Sequence, residues 1–247
     1  MGNDMIVASK QASANETALF ALNHHAPLSE QVTLILQPGQ THEPGEYSTI
    51  RQIRLPEARQ IAKVLGLQTP GQWGYEYGVN EHRVAVGVTP WDTRFPNATP
   101  IFQGADLVRL MLERSQSARA AVETGIDLLT RYAEHESSNG NIFLVADPNE
   151  SYLFETCGKH WALSECGPSR VVTDAAMIRQ DWQRLAPGLS TDGVPGGVQS
   201  VVTLNPASGL PENELPTRSV SCTLRPWSPS RRAAQRWVYV QLYDKLV

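Results

Sequence analysis

The clearest hydrophobic pattern in the chain lies between residues 104 and 132. Within Gly104–Arg114, Leu107, Leu110 and Met111 recur at helical spacing. Asp106 falls in the first turn and Arg114 in the last, the charge signs that the two ends of a helix dipole favour. A second helix is predicted over Ala118–Tyr132, with Ser117 as N-cap and a stripe of Ala121, Val122, Ile126 and Leu129. Two helices joined by a short turn form an antiparallel hairpin, and such a hairpin needs a sheet to cover.

Elsewhere the dominant period is two. Ile6-Val7-Ala8 reads as a first strand, Asn15-Glu16-Thr17 as a turn, and Ala18–Leu22 as the returning strand of a hairpin. Asn23-His24-His25 follows at its end. Gln31–Gln37 is predicted as a third strand and Tyr47–Leu55 as a fourth. The glycine-punctuated segment Trp73–His82 leads through an Asn80-Glu81-His82 turn into a strand over Arg83–Val88. After Ser137–Gly140 come a buried strand, Asn141–Asp147, a tight turn at Pro148-Asn149-Glu150, and a return over Ser151–Thr156. Lys159–Leu163 and Arg170–Thr173 extend the same meander. Strands, then two helices, then more strands indicate an α+β layered domain rather than βαβ units.

The whole chain, 1–247, reads as one domain. Residues 187–230 form Pro/Gly-rich loops that carry two short strands, Val198–Leu204 and Ser219–Leu224. Gln235–Leu246 is amphipathic and closes the domain as either a helix or a strand.

Composition narrows the function classes. Charged residues make up 19% and the formal net charge is -4, so there is no electrostatic footprint for nucleic acid or an anionic membrane. No apolar run approaches the ~18 residues of a membrane span. The opening residues lack the basic flank and apolar centre of a signal peptide. Cys157, Cys166 and Cys222 are an odd number without Cys-x-x-Cys spacing, which fits buried thiols in a reducing compartment. A cytoplasmic protein is expected. Without a Gly-x-Gly-x-x-Gly or Walker-type loop, no nucleotide cofactor is expected either. Self-association is left open.

Candidate chemistry concentrates at the start of the chain. The polar tip Met1-Gly2-Asn3-Asp4 runs directly into Met5-Ile6-Val7-Ala8, the pattern of a chain whose opening is held in its core sheet. His24 and His25 are adjacent on a strand, so they point to opposite faces and only one can enter a pocket. No metal site is expected from them. Cys157 and Cys166 fit better as buried small residues than as nucleophiles. Glu155 and His160, near a hairpin, read as structural.

Several segments together resemble the secernin and cysteine dipeptidase group of N-terminal-nucleophile (Ntn) hydrolases. Asn3-Asp4-Met5-Ile6-Val7-Ala8 resembles the group's opening Cys-Asp-Thr-(Leu/Met)-Val-Ala, and Phe20-Ala21-Leu22-Asn23 its Phe-Ala-Lys-Asn. Trp73–His82 is similar to Trp-Gly-Ala-Glu-Met-Gly-Val-Asn-Glu-His. Asp106–Leu110 is similar to Asp-Leu-Val-Arg-Leu. The stretch from Asn141 through Glu155-Thr156 resembles the group's Asn-Ser-Phe-Leu-Ile-Ala-Asp-Pro hairpin and following Leu-Glu-Thr. The match runs over roughly residues 3–175. It implies a four-layer αββα sandwich, two mostly antiparallel sheets between helix layers. It also implies hydrolysis of peptides or linear amides by a leading cysteine, whose own amine serves as general base.

The departures fall on that machinery. The best register places Asn3 at the cysteine, and a shift of one places Gly2 there; neither can serve as a nucleophile. The Asp is kept as Asp4. Asn-Ser-Asp-Arg has become Asn23-His24-His25-Ala26, Gly-Asn-Glu has become Gly87-Val88-Thr89, and Ile-Ser-Asn has become Val172-Thr173-Asp174. The resemblance therefore implies a degenerate site of Asn3, Asp4, Asn141 and Asp174. Asn23, His25, Glu76 and Asn80 stand as ligand-binding residues for a small peptide or amide-like molecule. Two readings remain: a homologue that has lost cysteine-dependent hydrolysis and binds a ligand or partner, and an active dipeptidase or linear-amide hydrolase on a non-standard residue set.

Overall fold

The structure, a computed structural model, describes residues 2–26, 31–92, 101–133, 139–189 and 234–242. Two antiparallel sheets stack face to face, and two helices cover the outer face of the larger one. This is the α+β sandwich the sequence indicates. Among the described residues, both sheets and one helix layer are present.

The smaller sheet begins the chain. β1 (Asn3–Ala8) alternates buried and half-buried positions, so Asn3, Met5 and Val7 face inward. It pairs with β2 (Ala18–Ala26) in a hairpin, with Met5 opposite Leu22 and Val7 opposite Phe20. The strands are longer than the apolar runs that predicted them, because Asn3, Asp4, Asn23 and His24 also join the ladder.

The chain then crosses to the larger sheet. β3 (Thr33–Gln37) enters at its edge, and β4 (Gln40–Thr41) leads outside it. The single strand predicted over Tyr47–Leu55 is instead a small hairpin, β5 (Tyr47–Ile50) and β6 (Ile53–Pro56). Arg51 breaks it, with φ 54, and its guanidinium Nε donates to the buried Asp106 carboxylate at 2.6 Å. β7 (Gln60–Ile61) pairs with β4, and β8 (Val64–Gln68) with β3. β9 (Tyr77–Asn80) and β10 (Ala85–Asp92) form the hairpin expected around Asn80-Glu81-His82.

α1 (Gly104–Glu113) and α2 (Ala118–Tyr132) match their apolar stripes. Asp106 accepts from the Gln103 N–H at the start of α1, and Ser117 accepts from the Ala120 N–H at the start of α2. Gly74 lets the loop before β9 lie on α1: a Cβ there would collide with the Ala105 carbonyl, and the Tyr75 N–H donates to Ala105 O at 3.0 Å.

β11 (Asn139–Ala146), β12 (Ser151–Cys157) and β13 (His160–Glu165) continue the larger sheet as a meander. β11 has a continuous apolar run because both its faces are covered. Phe143 and Val145 pack toward the helices, while Ile142 and Leu144 pack toward the smaller sheet. The predicted next strand of the meander is a correction. β14 (Ser169–Val172) leaves it after Gly167, where φ is +66, and pairs with β1, placing Val172 beside Met5. β15 (Arg184–Leu185) ends the larger sheet, whose order is β15-β13-β12-β11-β10-β9-β8-β3. The amphipathic C-terminal segment is a strand, β16 (Ala234–Leu242), giving the smaller sheet the order β14-β1-β2-β16. Val198–Leu204 and Ser219–Leu224, with Cys222, lie outside the described residues.

Candidate functional site

Asn3 is the centre of a buried polar cluster between the sheets. It is only 3% exposed. Its main-chain N–H donates to Thr89 Oγ1 at 2.8 Å. Its side-chain Nδ2 donates to Val88 O at 2.7 Å and reaches Glu76 Oε2 at 3.4 Å. Its Oδ1 stands 2.8 Å from His24 Nδ1, and since Oδ1 is only an acceptor, the ring hydrogen there is on Nδ1. Both side-chain N–H bonds are used, and the carbonyl oxygen accepts one bond.

Gly2 extends the cluster. A Cβ at that position would come within 2.9 Å of both Thr89 Oγ1 and Asp174 Cβ, so Asp174 walls residue 2. The wall is exposed at Asp174, half-buried at Glu76, and closed at Thr89. Glu76 thus puts a carboxylate against the buried Asn3 carboxamide, and Asp174 stands beside Gly2.

The other expected residues do not converge on this point. Asp4 and His25 lie on the opposite face of the smaller sheet, because neighbours on a strand alternate. There His25 Nε2 is 2.7 Å from Asp4 Oδ2, both about a third exposed. The buried Asn23 carboxamide approaches the same ring nitrogen at 3.0 Å. Of the two histidines, His24 rather than His25 joins Asn3.

Asn141 is also elsewhere. It follows the parity of Phe143, on the helix-covered face of the larger sheet, and its Oδ1 lies against the start of α1, where a Cβ on Gly104 would collide with it. That corrects its expected place beside Asp4 and Asp174. Asn80 is consumed by the fold: Nδ2 donates to Leu112 O and Ser115 O, and Oδ1 accepts from the His82 and Val84 N–H groups. Its four bonds hold the β9–β10 turn to the end of α1 and leave no capacity for a ligand.

Sequence reasoning missed His24 and Thr89 as members of the cluster. Thr89 had a signal, since it belongs to the Gly87-Val88-Thr89 segment that departs from the resembled pattern. His24 had one too: it lies opposite Asn3 once the β1–β2 hairpin is in register.

A carboxamide is a poor nucleophile, and the Asn3 nitrogen is a peptide nitrogen without a basic lone pair. Cys157 and Cys166 are buried, and burial pushes the Cys166 thiol up to about 11. Burial likewise pushes the Glu155 carboxyl up to about 7, against the opposing N–H donors of Met177 and Ile178. Among the described residues, no group of three or more His, Cys, Asp or Glu side chains is arranged to hold a metal ion. No helix among them is long and apolar enough to cross a membrane.

A family model described as peptidase family C69 matches residues 4–183. The chain is 30% identical over 172 residues to the probable dipeptidase B of Lactococcus lactis subsp. lactis, an alignment covering 64% of this chain and 35% of that protein. It therefore spans about a third of that relative's length. Among solved structures it is similar to a mutant form of conjugated bile acid hydrolase from Clostridium perfringens, with a TM-score of 0.45, 11% identity, and coverage of 72% of this chain and 54% of that one. It is also similar to a Caenorhabditis elegans N-acylethanolamine-hydrolyzing acid amidase orthologue, with a TM-score of 0.44, 12% identity, and coverage of 70% of each chain.

Proposed function

The chain belongs to peptidase family C69, and on that premise we propose that it is a dipeptidase-like homologue without cysteine-dependent hydrolysis, binding a small peptide or amide-like ligand beside Gly2. The observation that carries this reading is that every polar atom of the Asn3 side chain is hydrogen-bonded. The residue at the position of the family's thiol is a buried carboxamide. It is bonded on every side to Thr89, Val88, Glu76 and His24. A group held that way is a structural part and has no path to a covalent intermediate. Asp174 and Glu76 supply negative charge at the rim, which suits the ammonium end of a short peptide.

The experiment is a hydrolysis screen of the purified chain against dipeptides and acyl amides, with ligand binding followed by calorimetry. No turnover is expected, and dipeptide binding should weaken on Asp174→Asn. Turnover that disappears on Asn3→Ala would overturn the reading. Removing residues 1 and 2 together with Asn3→Cys places a thiol and a free amine at one position, and hydrolysis by that variant alone would support it further.

A second reading, an active dipeptidase or linear-amide hydrolase, draws on one observation. Asp4 and His25 form a partly exposed pair at 2.7 Å, the geometry of an oriented general base. Wild-type turnover abolished by His25→Ala, and untouched by Asn3→Ala, would favour it.

A further inference from the structure

The larger sheet runs past its cover. Cross-strand partners on β10, β9, β8 and β3 form the row Ala85, Val79, Leu65, Leu36. Exposure climbs outward along it: Ala85 is 0% exposed, Leu65 38% and Leu36 65%. Leu34, two residues from Leu36 and on the same face, is 57% exposed. Further in, that face carries Leu67 and Tyr77 against Phe20 and Leu22 of the smaller sheet. The three leucines therefore continue a core surface into solvent.

β3 is also the outermost strand, and no described strand lies beyond it. Its free edge presents main-chain N–H and C=O groups in the pattern that another strand would complete. Edge strands are ordinarily blunted by charge, proline, a bulge or short length. Thr33-Leu34-Ile35-Leu36-Gln37 has no charge and no proline. The opposite edge of the same sheet is protected by brevity, since β15 is two residues long.

We propose that this edge binds a second copy of the chain, β3 pairing antiparallel with its equivalent about a two-fold axis at Ile35. In that register Leu34 faces the second copy's Leu36, Thr33 faces Gln37, and Ile35 faces itself. The sequence is self-complementary about its centre, as an isologous contact requires. No like charges meet in the pairing, and a charged partner would find no counter-charge on this strand. Two sets of Leu34, Leu36 and Leu65 merge into one apolar surface across the new ladder. The contact is smaller than the roughly 20–30 residues a side of a standard interface, so dimerisation is weak, with Kd on the order of 10 µM.

Sedimentation velocity of the full chain from 1 to 200 µM (roughly a decade either side of that Kd) tests this. A concentration-dependent monomer–dimer equilibrium is expected, and Leu36→Lys should shift it at least tenfold toward monomer. Leu36 is mostly exposed, so the variant keeps the fold, which circular dichroism checks. A cross-link fixes the register. In a Cys222→Ser background, Ile35→Cys should form an intermolecular disulfide, because residues directly opposite in an antiparallel pair lie within disulfide reach. Thr33→Cys should not, since its counterpart is Gln37. A wild-type chain that stays monomeric throughout overturns the proposal, even if it captures an extended peptide. So does a dimer that survives Leu36→Lys and fails to cross-link at Ile35→Cys.

Discussion

The side-chain oxygen of Asn3 accepts a hydrogen bond from His24 Nδ1 across 2.8 Å, with both residues buried between the sheets. The two stand directly opposite each other in the β1–β2 ladder. Removing either leaves buried polar groups of the other unmatched, which costs more than a bond contributes when made. We predict that Asn3→Ala destabilises the fold by roughly 3 kcal/mol. A double-mutant cycle with His24→Ala should return a coupling of about 1–2 kcal/mol in urea unfolding. Additive losses would mean that the two side chains are independent and that the cluster has no integrity as a unit.

Glu155 makes stability depend on pH. The folded chain holds its proton up to about 7, whereas the free side chain titrates at 4.5. Between those values the folded state binds more protons than the unfolded one, so stability falls as pH rises through the window. The loss is about 3 kcal/mol in total. Glu155→Gln retains an acceptor for the Met177 and Ile178 N–H groups but cannot ionise. Urea midpoints compared at pH 4.5 and pH 8 should drop for the wild type relative to this variant; parallel midpoints would refute the assignment.

Asn80 should behave as a structural residue. Its amide serves two carbonyls and two N–H groups, all main-chain. Asn80→Ala is expected to cost about 3 kcal/mol. Asn80→Asp should cost more, because it turns a carboxylate toward Leu112 O and Ser115 O. Neither change should alter dipeptide affinity measured where the variants remain folded. A selective loss of affinity would return Asn80 to the ligand site.

Legibility followed locality. The helix pair and the Asn139–Cys157 hairpin could be read directly, because their apolar spacing repeats over whole elements and their caps are local. β8 was not read. Its Val64-Leu65-Gly66-Leu67 lacks alternation, and Gly66 is required by the Tyr75 ring, 2.5 Å from where its Cβ would be. The split at Arg51 depends on Asp106, and the departure of β14 from the meander depends on β1; both partners are far away in sequence.

The site shows the same limit. The resemblance pointed to Asn3, Glu76 and Asp174; Glu76 reaches the Asn3 carboxamide, and Asp174 stands beside Gly2. It also grouped Asp4 with Asn3, although adjacent strand residues cannot face the same way. The alternation that separated His24 from His25 separates those two as well.

The two sheets differ in how far along the chain their partners lie. Most contacts in the larger sheet join consecutive strands, as in β9–β10 and β11–β12–β13. The smaller one ties Met5 to Val172, and Leu22 to Val238. Closing loops of that span costs entropy before any contact repays it, which slows the step. The consequence is an order of assembly: the meander and its helices form a folding nucleus, and the smaller sheet, with residue 172 on one edge and residue 238 on the other, is completed last. Pulse-labelled hydrogen exchange during refolding should protect the β11 and β12 amides before those of β1. Simultaneous protection would rule that order out.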